Sequence, residues 1–383
     1  MKKLFYTALL ALALFEILKV YFIMPMPGSQ EMNSVDIAFF LHSYRWVFRI
    51  VFLLMILAGA IDAFRVKRKW IPLIPLAVVL FIVVVFNFKM TAENMFKQPE
   101  TLVFKGQDEN QLGDSSIVMG MEHNGEVKGY PIRYLVYHHQ VQDEVGGKAV
   151  IATYCSVCRT GRIFEPIVQG KYEKFRLVGM DHFNAMFEDE TTKSWWRQVT
   201  GEAITGPLKG EALPEVESFQ VTVRKLFEQY PNALVMQPDK EFLTEYDTLG
   251  KFEYGRSKSE LTGTDSLSWQ RKSWVVGVEL GGQSKAYDWN EIVEKRIIND
   301  EIDDTPIVLA LAKDGHSFSA FKRPSDTVIF IIHNDTLISE GMRFDFLGME
   351  LEGSLLPLKK LNAYQEFWHS WETFHPMTGK YGE

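Results

Sequence analysis

Only two cysteines occur among the 383 residues of this chain, and that scarcity is informative. A zinc site or iron–sulfur cluster drawing four thiolates from one chain cannot be built from them. Neither cysteine is followed by the histidine of a Cys-x-x-Cys-His run, so covalent haem attachment has no basis. His-Glu-x-x-His, Gly-x-Ser-x-Gly, the P-loop and Gly-x-Gly-x-x-Gly are all missing, which leaves metalloprotease, serine hydrolase and nucleotide-enzyme readings without an anchor. Basic residues are not in excess either: 41 Lys and Arg against 49 Asp and Glu give a formal net charge of −8. Nucleic acid is therefore not an expected partner.

What is present divides sharply. Residues 1–88 carry three long apolar stretches, whereas residues 89–383 read as a water-soluble region. The first stretch, Leu4 to Ile23, makes a helix of about 30 Å, enough to cross a bilayer. Glu16 and Lys19 interrupt it but lie one turn apart and can pair. The second centres on residues 50–61, and the third, residues 71–88, contains no charge. Lys2 and Lys3 precede the first span, and Arg65, Lys67, Arg68 and Lys69 fill the connection between the second and third. Basic connections stay cytoplasmic, so three crossings are expected to leave the large C-terminal region outside the cytoplasm, on an inner or cell membrane. Reading residues 1–20 as a cleaved signal peptide leaves that placement unchanged, because spans two and three return the chain to the same side.

The cysteines sit in Tyr154-Cys155-Ser156-Val157-Cys158-Arg159-Thr160-Gly161, and the segment around them occurs twice. Asn124-Gly125-Glu126-Val127-Lys128-Gly129-Tyr130 through Val150-Ile151 returns without a gap 157 positions later, as Gly281-Gly282-Gln283-Ser284-Lys285-Ala286-Tyr287 through Ile307-Val308. Leu213-Pro214 parallels Leu356-Pro357, and a helical pattern ending at Pro231 parallels one ending at Pro376, that pattern now at an offset of 145. The expected organisation is a membrane region over 1–88, a polar linker over 89–114, a first copy over 115–237, a connector over 238–272 and a second copy over 273–383. Short β-branched runs at 148–154 and 305–311 predict buried strands, and residues 162–168 and 172–178 predict a hairpin. The expected fold class is α+β: three N-terminal transmembrane helices followed by a β-rich, duplicated and pseudo-symmetric extracytoplasmic domain. Two copies packed on each other offer a cleft for a site.

The second copy has Ala312 and Gly315 where the first has Cys155 and Cys158, so the fold does not need the thiols. Outside the cytoplasm a close pair oxidises unless something protects it. Cys-x-x-Cys spacing lets both sulfurs meet one partner, lowers the pKa of one thiol, and has Arg159 beside it to favour a thiolate. A soft-metal site is the leading reading, and two alternatives stay open. The pair can be a disulfide staple, an exchange centre in which Cys155 and Cys158 are catalytic and a protein partner supplies or takes electrons, or a soft-metal site. Copper is expected before zinc among metals, with a delivery protein as partner. Its further ligands would come from His182, with Met180 or Met186 as thioether, and from His138 and His139, which the second copy replaces by Lys295 and Arg296. His123 is a weaker candidate. Each of these residues also has a plain reading, as a hydrogen-bonded histidine or a core methionine. Residues 189–198, rich in carboxylates and hydroxyls with Trp195-Trp196, read either as a pocket wall beside the cysteines or as a capped turn whose tryptophans enter the core.

Residues 115–380 resemble the uncharacterised family catalogued as domain of unknown function 3179. The resemblance rests on Ala152-Thr153-Tyr154-Cys155-Ser156-Val157-Cys158 and Gly161, then Phe183-Asn184 and Asp189-x-x-Thr192-x-Ser194-Trp195-x-x-Gln198, with Gly201, Gly206, Gly210 and Lys285-Ala286-Tyr287. Alanine and tyrosine stand one residue closer here. Ser156-Val157 replaces the Pro-Leu often found between the cysteines, which implies a less rigid turn. The resemblance implies that the cysteine pair and residues 189–198 are the family's characteristic parts, and it carries no reaction.

Overall fold

The computed structural model describes residues 1–353 and 356–383. The chain forms two compact units, one of Met1–Lys97 with Glu173–Ala212 and one of Gln98–Tyr172 with Leu213–Glu383.

The first unit opens with helices α1 (Lys2–Tyr21), α2 (Val35–Ser43), α3 (Arg45–Ala63) and α4 (Trp70–Phe88). The lengths of α1, α3 and α4 and their mean hydropathies of 1.8, 2.0 and 2.7 suit membrane spans, and they support membrane association. Helix α1 is the inner one: Phe5, Ala8, Leu9 and Ala13 pack with Ile56 and Ala63 of α3 and Val79 of α4. Helices α3 and α4 leave Leu54, Leu57, Ile61, Leu80 and Phe81 exposed, as lipid-facing side chains can be. Gly59 permits the close α1–α3 approach, since a Cβ there would stand 2.6 Å from the Phe5 nitrogen. The Glu16–Lys19 pair forms at 3.0 Å. It is completed by Arg49, whose Nε donates to Glu16 at 2.7 Å, and by Asn87, which donates to the same carboxylate. A charged cluster at this depth persists only when its members satisfy one another.

Glu173–Ala212 supplies a four-stranded antiparallel sheet in the order Ala203–Thr205, Trp195–Arg197, Asn184–Asp189, Phe175–Asp181. Its Val178, Met186, Trp195 and Ile204 bury with Val20, Ile23 and Ala38 at the ends of the helices. The hairpin expected over 162–168 and 172–178 is corrected here. Only Ile167–Val168 and Lys171–Tyr172 pair with each other, while Phe175–Asp181 takes Asn184–Asp189 as partner. That ladder has six cross-strand pairs, whereas the residues of the expected hairpin pair at only two positions.

In the second unit the elements recur at the offsets seen in the sequence. Strands Ile117–His123 and Glu126–Pro131, helix Ile132–His138, and strands Gln140–Val145 and Lys148–Cys155 are followed later by strands Trp274–Leu280 and Gln283–Asp288, helix Trp289–Lys295, and strands Ile297–Ile302 and Thr305–Leu311. Both helices end in a left-handed residue, His139 (φ 63°) and Arg296 (φ 58°). Pairing matches as well. Ile117–His123 lies between Glu126–Pro131 and Phe219–Thr222, and Leu234–Met236 adds in parallel. Trp274–Leu280 lies between Gln283–Asp288 and Ala363–Phe367, and Gly379–Lys380 adds in parallel. Six of these twelve strands join one nine-stranded sheet, in which Phe219–Thr222 pairs with Phe318–Lys322, while Trp274–Leu280, Gln283–Asp288, Ala363–Phe367 and Gly379–Lys380 form a separate four-stranded sheet. Lys148–Cys155 lies outside it, in a three-stranded sheet between Gln140–Val145 and Thr160–Phe164. The cysteine turn is the tip of that last strand pair.

Candidate functional site

The Lys148–Cys155 strand is β-branched and buried toward its end, and its final pair across the ladder is Cys155 with Thr160. Ser156 to Arg159 form the loop, closed by Arg159 in the left-handed region at φ 57°. Short hairpin loops need such a residue to reverse the chain. Both cysteines are completely buried, at 0% exposure.

The loop is gripped from outside itself. Lys272 Nζ donates to the Val157 carbonyl at 2.8 Å and to the Leu261 carbonyl at 2.6 Å. His369 Nε2 lies 3.1 Å from the same Val157 oxygen and 3.2 Å from Lys272 Nζ. The Phe367 nitrogen donates to the Cys158 carbonyl at 2.9 Å. Lys272 also sits over the Phe367 ring, 4.5 Å from its centroid. Burial pulls the Lys272 amine down to about 8, against the charges of Cys158 and Cys155, which act to raise it. The dominant cause is desolvation, and the thiols are its nearest opposing charges. Burial, with Lys272 beside it, holds His369 at about 3, so its ring is neutral around neutral pH. Lys272 and His369 are only partly buried. The site is therefore two dry sulfurs with a half-exposed amine whose charge is poised near the thiol range.

Arg159 is used differently from the sequence expectation. Its guanidinium donates to the carbonyls of Phe252 (3.0 Å) and Glu253 (2.9 Å) and to Gln365 Oε1 (3.2 Å), and stacks over Trp274 at 3.6 Å. It anchors the hairpin, while the cation whose charge couples to the thiols is Lys272. Beyond it lies a buried network. Glu366 accepts from Thr160 Oγ1 (2.7 Å), Arg162 Nη2 (2.8 Å) and Ser370 Oγ (2.8 Å), and Arg162 covers the Tyr364 ring.

The other residues singled out in the sequence are distributed as follows. His138 is buried with Nε2 2.6 Å from Tyr246 Oη. His139 is buried at the helix end, its Nδ1 3.2 Å from the Tyr137 carbonyl, and burial lowers it to about 4. His123 ends a strand as a partly buried residue. His182, Met180 and Met186 belong to the unit containing Glu173–Ala212, whereas Cys155 and Cys158 belong to the other. His182 sits on Asp181 at 2.8 Å, and that hydrogen bond raises its pKa. Met186 is core, packed with Trp195. Among the described residues, no three His, Cys, Asp or Glu side chains are grouped to hold a metal ion. Asp189 caps its own turn, accepting from Thr192, Ser194 and the Trp196 indole, and both tryptophans are buried.

Lys272 and His369 were missed in the sequence, although a signal existed. By the offsets that link the two segments they correspond to Ser115 and Arg224. They therefore differ between segments just as the cysteines do.

Comparison with curated proteins and with solved structures returns no match. Residues 98–378 match the family described as "Protein of unknown function (DUF3179)", and the chain belongs to that family.

Proposed function

We propose that Cys155 and Cys158 are a redox-active dithiol on a membrane-anchored protein, poised as a thiolate by Lys272. The observation that carries this reading is the partly buried amine, which holds the loop carbonyl between the cysteines and is coupled in charge to both of them. A neighbouring cation lowers a thiol's pKa, and the thiolate is the species that reacts. In the proposed step, one thiolate attacks a disulfide on a partner protein and forms a mixed disulfide. The second thiol then displaces the partner. The pair loses two electrons and two protons, becoming the Cys155–Cys158 disulfide, and the partner leaves as a dithiol. Because neither sulfur is exposed, exchange requires the loop to release its bonds to Lys272 and Phe367. The basic residues at Lys2, Lys3 and Arg65 to Lys69 support placing the domain on the non-cytoplasmic side, where an oxidised pair is stable.

The test uses the full chain in detergent. Alkylation of the reduced protein should follow a thiol pKa well below the ordinary value, and Lys272→Met should slow it roughly tenfold at about pH 7, the effect of about one pKa unit. Cys158→Ser should accumulate mixed disulfides. A pair that resists alkylation in wild type and variant alike, and never forms a disulfide with mild oxidant, would sink the proposal.

Copper(I) held by Cys155 and Cys158 alone is the second reading. Complete burial of both sulfurs favours it, and the Lys272 charge would offset the negative bis-thiolate. It predicts one copper(I) per reduced chain, lost in Cys155→Ser.

A further inference from the structure

A cavity in the first unit is lined by none of the residues around the thiols. It measures about 690 Å³ and is lined where α1, α2, α3 and α4 end against the Phe175–Asp181 and Asn184–Asp189 strands. That size is in the range of small-molecule sites. Its level is marked by Tyr44 and Trp46, both exposed beside Arg45 at the start of α3. Aromatic residues of this kind gather at the membrane–water boundary. The end is also the one opposite Lys2, Lys3 and the basic connection after α3.

The lining is two-sided. Val20, Ile23, Phe39, Met90, Leu177 and Val178 make an apolar wall, and Lys19, Arg45, Arg176 and Lys193 contribute cations. Lys19 is committed to Glu16 and Asn87, and Arg176 to Glu188 and Glu93. Glu188 is itself saturated, its second oxygen taking the Trp195 indole. Arg45 and Lys193 are different: among the described residues neither takes part in an ion pair. Arg45 bonds only the His42 carbonyl. Lys193 is held at φ 62° by a turn whose Asp189 accepts its backbone nitrogen. His42, also in the lining, is pushed to about 3, by burial first and then by the surrounding cations. It is neutral and adds a hydrogen-bonding ring rather than charge. The lining thus carries two cations beyond its carboxylates, next to apolar surface, at the depth of lipid headgroups.

From this combination we infer a binding site for an anionic, phosphate-bearing lipid. Its phosphate would lie between Arg45 and Lys193, and the start of its chain along Val20, Ile23 and Phe39. A negative lipid head is attracted to such basic groups at the membrane surface, while an apolar wall gives no hold on a free phosphate ion.

The test is binding to the full chain in detergent, with phosphatidylglycerol, phosphatidylcholine and glycerol phosphate as separate probes, read by native mass spectrometry. Phosphatidylglycerol should be retained over phosphatidylcholine. Arg45→Gln and Lys193→Gln should each weaken it roughly fivefold, and Lys209→Gln, which lies outside the cavity lining, should not. Lys193 is exposed, so Lys193→Glu gives a variant that keeps the fold if Arg45→Gln does not, and it should lose most of the binding. Equal retention of both lipids, or wild-type binding by Lys193→Glu, would overturn the site. Glycerol phosphate binding as tightly as the lipid would overturn the lipid assignment.

Discussion

The loop at Ser156 to Arg159 and its counterpart at Lys313 to His316 solve the same problem in opposite ways. In the second segment one of the turn's own side chains does most of the closing, with help from Thr222 and from Asp335, which accepts from the Lys313 nitrogen. Asp314 accepts from the His316 and Ser317 nitrogens at 2.9 and 2.8 Å and from the hydroxyls of Ser317 and Thr222, and Gly315 supplies the left-handed residue at φ 71°. In the first segment a valine replaces that aspartate and a cysteine replaces that glycine, so the loop's carbonyls are taken up by Lys272 and Phe367 from far along the chain. A turn closed mainly by its own side chain depends less on partners, whereas one closed wholly from outside can be opened by altering the partner. The sulfurs are found on the turn of the second kind.

The sharpest way to break the comparison is to remove the anchor behind the first loop. Glu366 corresponds to apolar Val221 in the other segment, and it compensates Arg162 in full burial. Glu366→Ala should cost about 3 kcal/mol, because it takes the closest carboxylate from a buried guanidinium and leaves it Glu215 at 3.6 Å. A melting temperature close to wild type would show that the two segments are anchored alike.

Next in size is the turn of the second segment. Asp314→Ala removes four acceptor contacts and should cost about 1–3 kcal/mol. Burial alone would raise the Asp314 carboxyl, but the bonds from Ser317, His316 and Thr222 outweigh it and hold it below its usual 3.8. Its stabilisation is therefore complete above that ordinary value and is lost as pH falls through the lower folded one. Acid titration of wild type against Asp314→Ala should converge at the acid end.

Much of this contrast was legible in the sequence. Ala312 and Gly315 opposite Cys155 and Cys158 marked the thiols as peculiar to one segment, and the strands and helix of the two segments recur at the same offset of 157. The closing residues were harder to read. Lys272 and His369 lie more than a hundred residues from Val157, and no periodicity reports a contact between segments. Arg159 was expected to serve the thiolate because it is adjacent, yet chain adjacency in a hairpin tip does not set side-chain direction, and its left-handed backbone is followed by a guanidinium on Phe252 and Glu253. Residues 172–178 were assigned the preceding strand because Gln169-Gly170-Lys171 offers a turn, whereas Phe175–Asp181 pairs with the strand that follows it. Its apolar positions belong instead to a core with Val20 and Ile23.

A smaller effect comes from giving the first loop the residues of the second. Cys155→Ala with Cys158→Gly should abolish thiol reactivity while costing only about 1–2 kcal/mol, the usual size for a small buried side chain. Failure to fold would mean that the sulfurs are structural after all, and that the two turns are less alike than their shared register implies.

A pH titration isolates Lys272. Its amine titrates near 8 in the folded protein, against an ordinary value of 10.5. Below about pH 8 it is charged both folded and unfolded, and the whole cost of burying the charge is present. Between the two values the folded state gives up its proton while the unfolded state keeps it, so unfolding takes up a proton and stability climbs with pH. Above the ordinary value both forms are neutral and the climb ends. Lys272→Met has no such proton to lose, and its melting temperature should stay level over the window in which wild type gains. Parallel curves would place the amine in water, remove its influence on the thiols, and leave the first loop no more outwardly held than the second.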